Sequence, residues 1–296
     1  NCNKNLSKVT FIKTDIPYSI CENCNHLNGM HEDTDDFCKK IYVSDDSLFD
    51  EYKSENKKKY FSRVKDIYLP KVDFLIKTLK GENKKIDNFK FHDFGAGSGY
   101  LINAFLKKKI QNIYGSDVSP KQCQYANSML GGNFISLMHM DNILPFFKKL
   151  DVEVVCMIGV LEHLRNPRLI LNEIKKNKNI KFIFLSLPLF SITVLFESIT
   201  DSVMHRHLAG GHTHLYTWDS IKYFCNEFNF KIIGQWWFGT DFFDLYRQIS
   251  IQLSQRKNKK LLSFWKRCFF NSIDDLQLII DKKKLSSEVH LVIKVR

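Results

Sequence analysis

Apolar residues change their period along the chain, and the changes mark its elements. Between residues 48 and 80 they recur every three and four positions (Phe61, Val64, Ile67, Tyr68, Val72, Leu75, Ile76 and Leu79), which predicts helix. Pro70 lacks an amide hydrogen and is set to break or restart that helix. Beyond Gly81, apolar runs of strand length alternate with helical stretches. Strands are predicted over 89–94, 113–116, 134–137, 152–158, 180–185, 231–234 and 288–295, and helices over 100–109, 119–130, 167–176 and 217–226. Ser119, followed by Pro120, and Thr217 supply N-caps for two of them. Such alternation predicts an α/β fold built on a doubly wound, Rossmann-like sheet with parallel crossovers.

Three stretches depart from the alternation. Residues 1–50 are polar and Cys-rich, acidic at 32–36, and predict an N-terminal cap on a domain spanning 51–296. Residues 187–216 form a long histidine-rich connection. Residues 236–286 begin in an aromatic run and carry two amphipathic helices ahead of the last strand. Long excursions over such a sheet serve as lids or oligomer contacts.

Length and composition narrow the class. A chain of 296 residues buries roughly three quarters of its unfolded surface and folds without staples. Hydrophobic content of 44% with 26% charge excludes disorder, collagen and coiled coil. The longest apolar run, 182–196, is about fifteen residues, broken by Ser186, Pro188, Ser191 and Thr193, and too short to span a bilayer. The polar start of the sequence has no signal-peptide core, and a cytoplasmic location is expected. The net charge of +12 comes from 36 Lys and only 8 Arg, whereas base readout leans on Arg. Nucleic acid is therefore disfavoured as partner, and the lysines read as solvated helix ends or as attraction for an anionic substrate or surface.

The chemistry concentrates after the first strand. Asp93-Phe94-Gly95-Ala96-Gly97-Ser98-Gly99 ends a strand and opens a helix, where glycines turn the backbone sharply and free amides face a ligand. The spacing is G-x-G-x-G with an acid two residues before it, not the G-x-G-x-x-G of a dinucleotide loop. This segment resembles the first motif of class I S-adenosylmethionine-dependent methyltransferases. Asp117-Val118 after the second strand, Asp141-Asn142 after the third, and Gly159-Val160-Leu161-Glu162-His163 after the fourth extend the resemblance in the right order. It covers roughly residues 85–235 plus the last strand. The resemblance implies S-adenosylmethionine as cofactor, with Gly95, Gly97 and Gly99 under its methionine and ribose, Asp93 near its ammonium, Asp117 on the ribose hydroxyls, Asp141 or Asn142 at the adenine, and Val118 and Gly159 lining the site.

His163 closes a segment similar to the "VLEH" stretch of small-molecule methyltransferases and is the first candidate for acid/base work on the acceptor; a structural role is the alternative. His205, His207, His212 and His214 crowd ten residues, and the segment around His214, Tyr216 and Thr217 resembles one in sugar-modifying methyltransferases. That likeness implies that His214, or His212, faces the acceptor. Trp236, Trp237 and Phe238 could stack on a sugar or base, or pack an inserted helix. Cys21 and Cys24 have the spacing of half a zinc ribbon, with Cys2, His26, His31 and Cys38 as possible further ligands; free thiols are the alternative. The layout is similar to the zinc module preceding the catalytic domain of some sugar methyltransferases. Together these features imply methyl transfer to a sugar or nucleotide-linked precursor of a surface polysaccharide. An RNA or DNA methyltransferase and a non-catalytic cofactor-binding subunit are the alternatives, the first weakened because Met157-Ile158-Gly159-Val160 stands where base-amino enzymes carry (D/N)-P-P-(Y/F).

Overall fold

In the computed structural model, residues 2, 8–13, 15–30, 40, 42, 56–82, 86–200, 207–208, 212 and 214–296 are described. The chain opens with three short strands, β1 (Phe11–Lys13), β2 (Ile16–Ile20) and β3 (Leu27–Gly29). Helix α1 (Lys57–Arg63) runs through a π-turn, Val64–Tyr68, into α2 (Leu69–Gly81). The wide turn answers Pro70: the ring cannot donate to Asp66, and the bulge bonds Leu69 N–H back to the Val64 carbonyl instead. Alternation then follows as β4 (Phe91–Phe94), α3 (Tyr100–Lys107), β5 (Ile113–Asp117), α4 (Pro120–Leu130), β6 (Ile135–Leu137), α5 (Ile143–Lys149), β7 (Val154–Ile158), α6 (Pro167–Lys176) and β8 (Phe182–Pro188). After it come α7 (Ile192–Ile199), β9 (His214–Leu215), α8 (Trp218–Phe228), β10 (Lys231–Phe238), α9 (Asp241–Gln255), α10 (Lys259–Phe269), α11 (Ile273–Lys282) and β11 (Glu288–Lys294).

Seven strands form one sheet in the order β10-β11-β8-β7-β4-β5-β6. β4 pairs in parallel with both β5 and β7, β5 with β6, and β7 with β8. The chain winds outward one way from β4 and the other way from β7, so the switch point lies between their carboxyl ends, where open α/β sheets bind ligands. All seven predicted strands are present. So are the capped helices: Ser119 Oγ accepts from Gln122 N, and Thr217 Oγ1 accepts from Ser220 N at 3.0 Å. This is the α/β, doubly wound Rossmann-like fold expected from the alternation.

The chain divides into two compact units. The larger, residues 32–186, 224–235 and 290–296, has a core of strand and helix faces centred on Leu75, Phe91, Phe105, Val154, Phe184 and Val292. The smaller gathers 1–31, 187–223 and 236–289. In it β1, β2, β3 and β9 make an antiparallel sheet over Tyr18, Leu27, Val194, Leu208 and Leu215. Its other anchor is the buried carboxylate of Asp241, which accepts from Ser191 Oγ and Thr193 Oγ1 (2.7 Å each), Gln277 Nε2 and Ser287 N. Burial alone would raise that carboxyl's pKa, but these donors together hold it below the ordinary value. Helices here number three among residues 236–286, where two are expected from the sequence: α9 begins at Asp241, and Asn258 caps a separate α10 through Leu261 N.

Candidate active site

The loop after β4 and the end of β5 build a polar floor at the switch point. Gly95 and Gly97 have φ of +72° and +51°, a region that costs other residues about 1–2 kcal/mol. A methyl on Gly95 would stand 2.6 Å from Val160 Cγ2, whereas one on Gly97 would meet nothing within 4 Å. The loop is thus pressed against the segment after β7 at one glycine and open at the other. Gly99 opens α3, with its own amide bonded to the Ala96 carbonyl at 2.9 Å.

Asp117, half-buried at the end of β5, faces this loop. Its Oδ2 accepts from Gly97 N at 2.8 Å and its Oδ1 from Ser119 N at 2.9 Å. Burial raises its pKa, and backbone amides of Ser119, Gly97 and Val118 pull the other way. Asp93 is buried on β4, 3% exposed. Burial, reinforced by the Asp117 charge and opposed by Lys71, pushes its pKa up to about 8. Asp141 and Asn142 sit exposed on a single turn, Met140–Asn142, after β6. Gly159 follows β7 at φ +68°, its N–H bonded to the Ser186 carbonyl.

Three contributors come from upstream of the glycine loop and are not legible there. Tyr68 stacks on Tyr100 at 5.2 Å between ring centroids, and the Arg63 guanidinium lies 5.3 Å above the same ring. Lys71 Nζ lies 5.1 Å from the Tyr68 ring centre. Burial pushes the Tyr68 hydroxyl up to about 12, with Arg63 lowering it and Asp93 raising it, so Tyr68 keeps its proton. The one sequence signal for this group is Pro70, which sets the π-turn that carries Tyr68. His92, next to Asp93, has a different task. Burial drops its pKa to about 4, and its Nε2 sits 2.9 Å from Ser116 Oγ, inside the sheet.

Among the candidate acid/base residues, His163 is half-buried on the turn Leu161–His163, its Nδ1 3.1 Å from the Tyr42 hydroxyl. In the smaller unit, His214 lies on β9 with Nδ1 3.1 Å from His26 Nε2, and His26 Nδ1 is 3.3 Å from Ser220 Oγ. The His26 ring is therefore turned to histidine and serine and not to the cysteines, which removes it as a metal ligand. His212 Nδ1 donates to the His207 carbonyl at 3.0 Å, and the Glu197 carboxylate accepts from the amides of His207 and Leu208. His205, His31 and Cys38 lie outside the described residues.

The β2–β3 turn brings the thiols of Cys21 and Cys24 together, closed by Asn25 N on the Cys21 carbonyl at 2.8 Å. Cys2 joins them, with Sγ 3.3 Å from Cys21 Sγ, and the three buried sulfur atoms lie within 4.8 Å of one another. Burial pushes the Cys24 thiol up to about 12, with the neighbouring thiols adding to the rise. Trp237 and Trp218 pack edge to face at 5.1 Å, so that part of the aromatic run is internal packing in the smaller unit.

Comparison with known proteins finds one family and several solved structures to which the chain is similar. A family described as "Methyltransferase domain" matches residues 92–177, from inside β4 to the end of α6. That segment holds the glycine loop, Asp117, Asp141 and the Gly159–His163 stretch. Its structure is similar to magnesium protoporphyrin IX methyltransferase of Synechocystis PCC 6803 with bound SAH, at TM-score 0.46 and 15% identity over 82% of this chain and 96% of that one. It is also similar to the methyltransferase domain of bacterial CtHen1, at TM-score 0.46 and 15% identity over 81% and 100% of the two chains. A third likeness is to a methyltransferase of Archaeoglobus fulgidus, at TM-score 0.45 and 13% identity over 75% and 93%. No curated protein sequence matches the chain. Among the described residues no helix is long and apolar enough to cross a membrane.

The residues present fit the cofactor. The open space over Gly97 leaves room for a ligand, and the Asp93 and Asp117 carboxyl groups beside it are acceptors of the kind an amino-acid sulfonium nucleoside needs.

Proposed function

We propose that this chain methylates a sugar or nucleotide-linked precursor of a surface polysaccharide. The observation that carries the reading lies in the smaller unit. There the cysteine-rich N-terminal segment and the histidine segment share one sheet, β3 paired with β9, and His26 is bonded to His214. That supports the sequence resemblance to sugar-modifying methyltransferases, in which both segments occur.

The cofactor supplies a methyl group already activated on a sulfonium, so the chain mainly aligns and handles protons. Gly95, Gly97 and Gly99 give it a backbone cradle. Asp93 takes its ammonium, Asp117 its ribose hydroxyls, and Asp141 and Asn142 its adenine. Val118 and Gly159 form walls. A hydroxyl acceptor has to lose a proton. His163 takes it, with the Tyr42 hydroxyl fixing its ring.

Calorimetric titration with S-adenosylmethionine tests the first half. Saturable binding is expected, weakened about hundredfold or more in Asp117→Ala, since each hydrogen bond to a charged group contributes about 1.5–3 kcal/mol. No binding by the folded protein would leave a non-catalytic subunit. Mass spectrometry after incubation with a panel of nucleotide sugars tests the second half. A gain of one methyl is the expected result, and methylation of RNA in place of every sugar would remove the sugar reading alone.

We infer also that Cys2, Cys21 and Cys24 hold a structural zinc ion. Three buried cysteine sulfur atoms within 4.8 Å of one another supply three of the four ligands that a tetrahedral site takes. Elemental analysis of protein purified without added metal should find one zinc per chain, lost in the double variant Cys21→Ser with Cys24→Ser along with several degrees of melting temperature. A metal-free protein of unchanged stability would mean free thiols.

A further inference from the structure

Residues 256–285 carry nine basic and three acidic side chains, a net of six positive charges and half the surplus of the whole chain. Within the same stretch Leu261, Phe264, Phe270, Leu278, Ile279 and Leu285 are 48–62% exposed. Basic and exposed apolar side chains are interleaved along this stretch. Helix α10 is fixed to α9 by its inner side: Trp265 stacks on Tyr246 at 5.6 Å and donates from Nε1 to the Tyr246 carbonyl, and Phe269 packs on Trp265 at 4.4 Å. None of its residues is buried. Its outer side shows Leu261, Phe264 and Cys268, spaced i, i+3 and i+7, with Lys260 and Arg267 along their edge. α11 repeats the division. Ile273 and Gln277 are buried, whereas Leu278 and Ile279 are exposed and run into Lys282, Lys283, Lys284 and Leu285.

A soluble surface seldom groups so many apolar side chains without a partner to cover them. Charge selects among the partners. A symmetric pairing of two copies through this face would set six positive charges against six. Nucleic acid would meet the lysines but leave Leu278, Ile279 and Leu285 in water. The surface of an anionic bilayer satisfies both sets at once: apolar side chains enter the boundary between headgroups and acyl chains, and each Lys or Arg pairs with a phosphate. We propose that α10, α11 and the Lys282–Lys284 turn form a docking face for an anionic membrane, seating the enzyme peripherally. This goes beyond the methyltransferase reading and does not depend on the acceptor.

Sedimentation of the full chain with lipid vesicles tests it. Vesicles of phosphatidylcholine with about 30% phosphatidylglycerol should pellet the protein at least about tenfold more tightly than phosphatidylcholine alone, with binding falling as salt rises. The double variant Phe264→Ser with Ile279→Ser should keep its melting temperature, because both side chains are exposed, and lose at least about tenfold in vesicle affinity. Equal binding by variant and parent, or no binding to anionic vesicles, would overturn the proposal. So would a dimer in sedimentation velocity that the double variant abolishes, or displacement from vesicles by duplex RNA that the variant binds as well as the parent.

Discussion

Asp93→Asn is expected to stabilise the ligand-free protein by as much as roughly 4 kcal/mol at pH 7, at 1.36 kcal/mol for each pH unit that separates pH 7 from the carboxyl's ordinary 3.8. With its folded pKa raised to about 8, Asp93 binds a proton in the folded chain that it has lost in the unfolded one. The stability it lends is therefore complete below about pH 4 and drains away as pH rises towards 8. Asparagine fills the same space with no proton to hold. Melting curves of the two proteins should diverge from pH 4 to pH 8 and run parallel above it; parallel curves throughout would mean an ordinary carboxylate. The same variant should bind S-adenosylmethionine at least about tenfold more weakly, because a charge-assisted bond to the ammonium becomes a neutral one. Binding by the parent protein below pH 8 should release a proton, which calorimetry in buffers of different ionisation enthalpy measures directly.

The second large effect separates two glycines that look alike in sequence. Gly95→Ala puts a methyl 2.6 Å from Val160 Cγ2 in a left-handed backbone, and the clash and the conformation together should cost about 2–5 kcal/mol of stability. Gly97→Ala meets open space and should cost only about 1–2 kcal/mol, from conformation alone. Cofactor affinity is expected to fall in both. In Gly97→Ala the loss should appear in a protein that melts close to the parent, because the new methyl projects into the cradle. Denaturant melts beside calorimetry tell the two apart; equal melting points for both variants would contradict the packing described.

The strands of the large sheet are legible because each is a short apolar run bounded by turn residues, and the glycine loop facing Asp117 because a tight strand-to-helix turn needs glycine at fixed offsets. β1–β3 are not. They are three to five residues long, include Pro17, and bury polar Lys13 and Ser19, so no alternation marks them. α5 hides because it spans only seven residues around Pro145. The grouping of Arg63, Tyr68 and Lys71 is hidden for a different reason. They lie on a helix whose period explains them as ordinary amphipathic positions, and only tertiary packing brings them beside Asp93. The partnership of His26 with His214 is likewise invisible in a chain that separates them by 188 positions.

The strand order has a consequence for how the chain is made. β11 lies between β8 and β10, yet it is synthesised about 100 residues after β8. At 5–20 residues per second, β8 waits roughly 5–20 s on the ribosome with one edge unpaired. Every residue of that strand, Phe182–Pro188, is buried in the finished fold. Through that interval an apolar ribbon stands open to other nascent chains. Holdase chaperones and translation speed over the last hundred codons should therefore govern how much of the protein matures and how much aggregates, independently of its final stability.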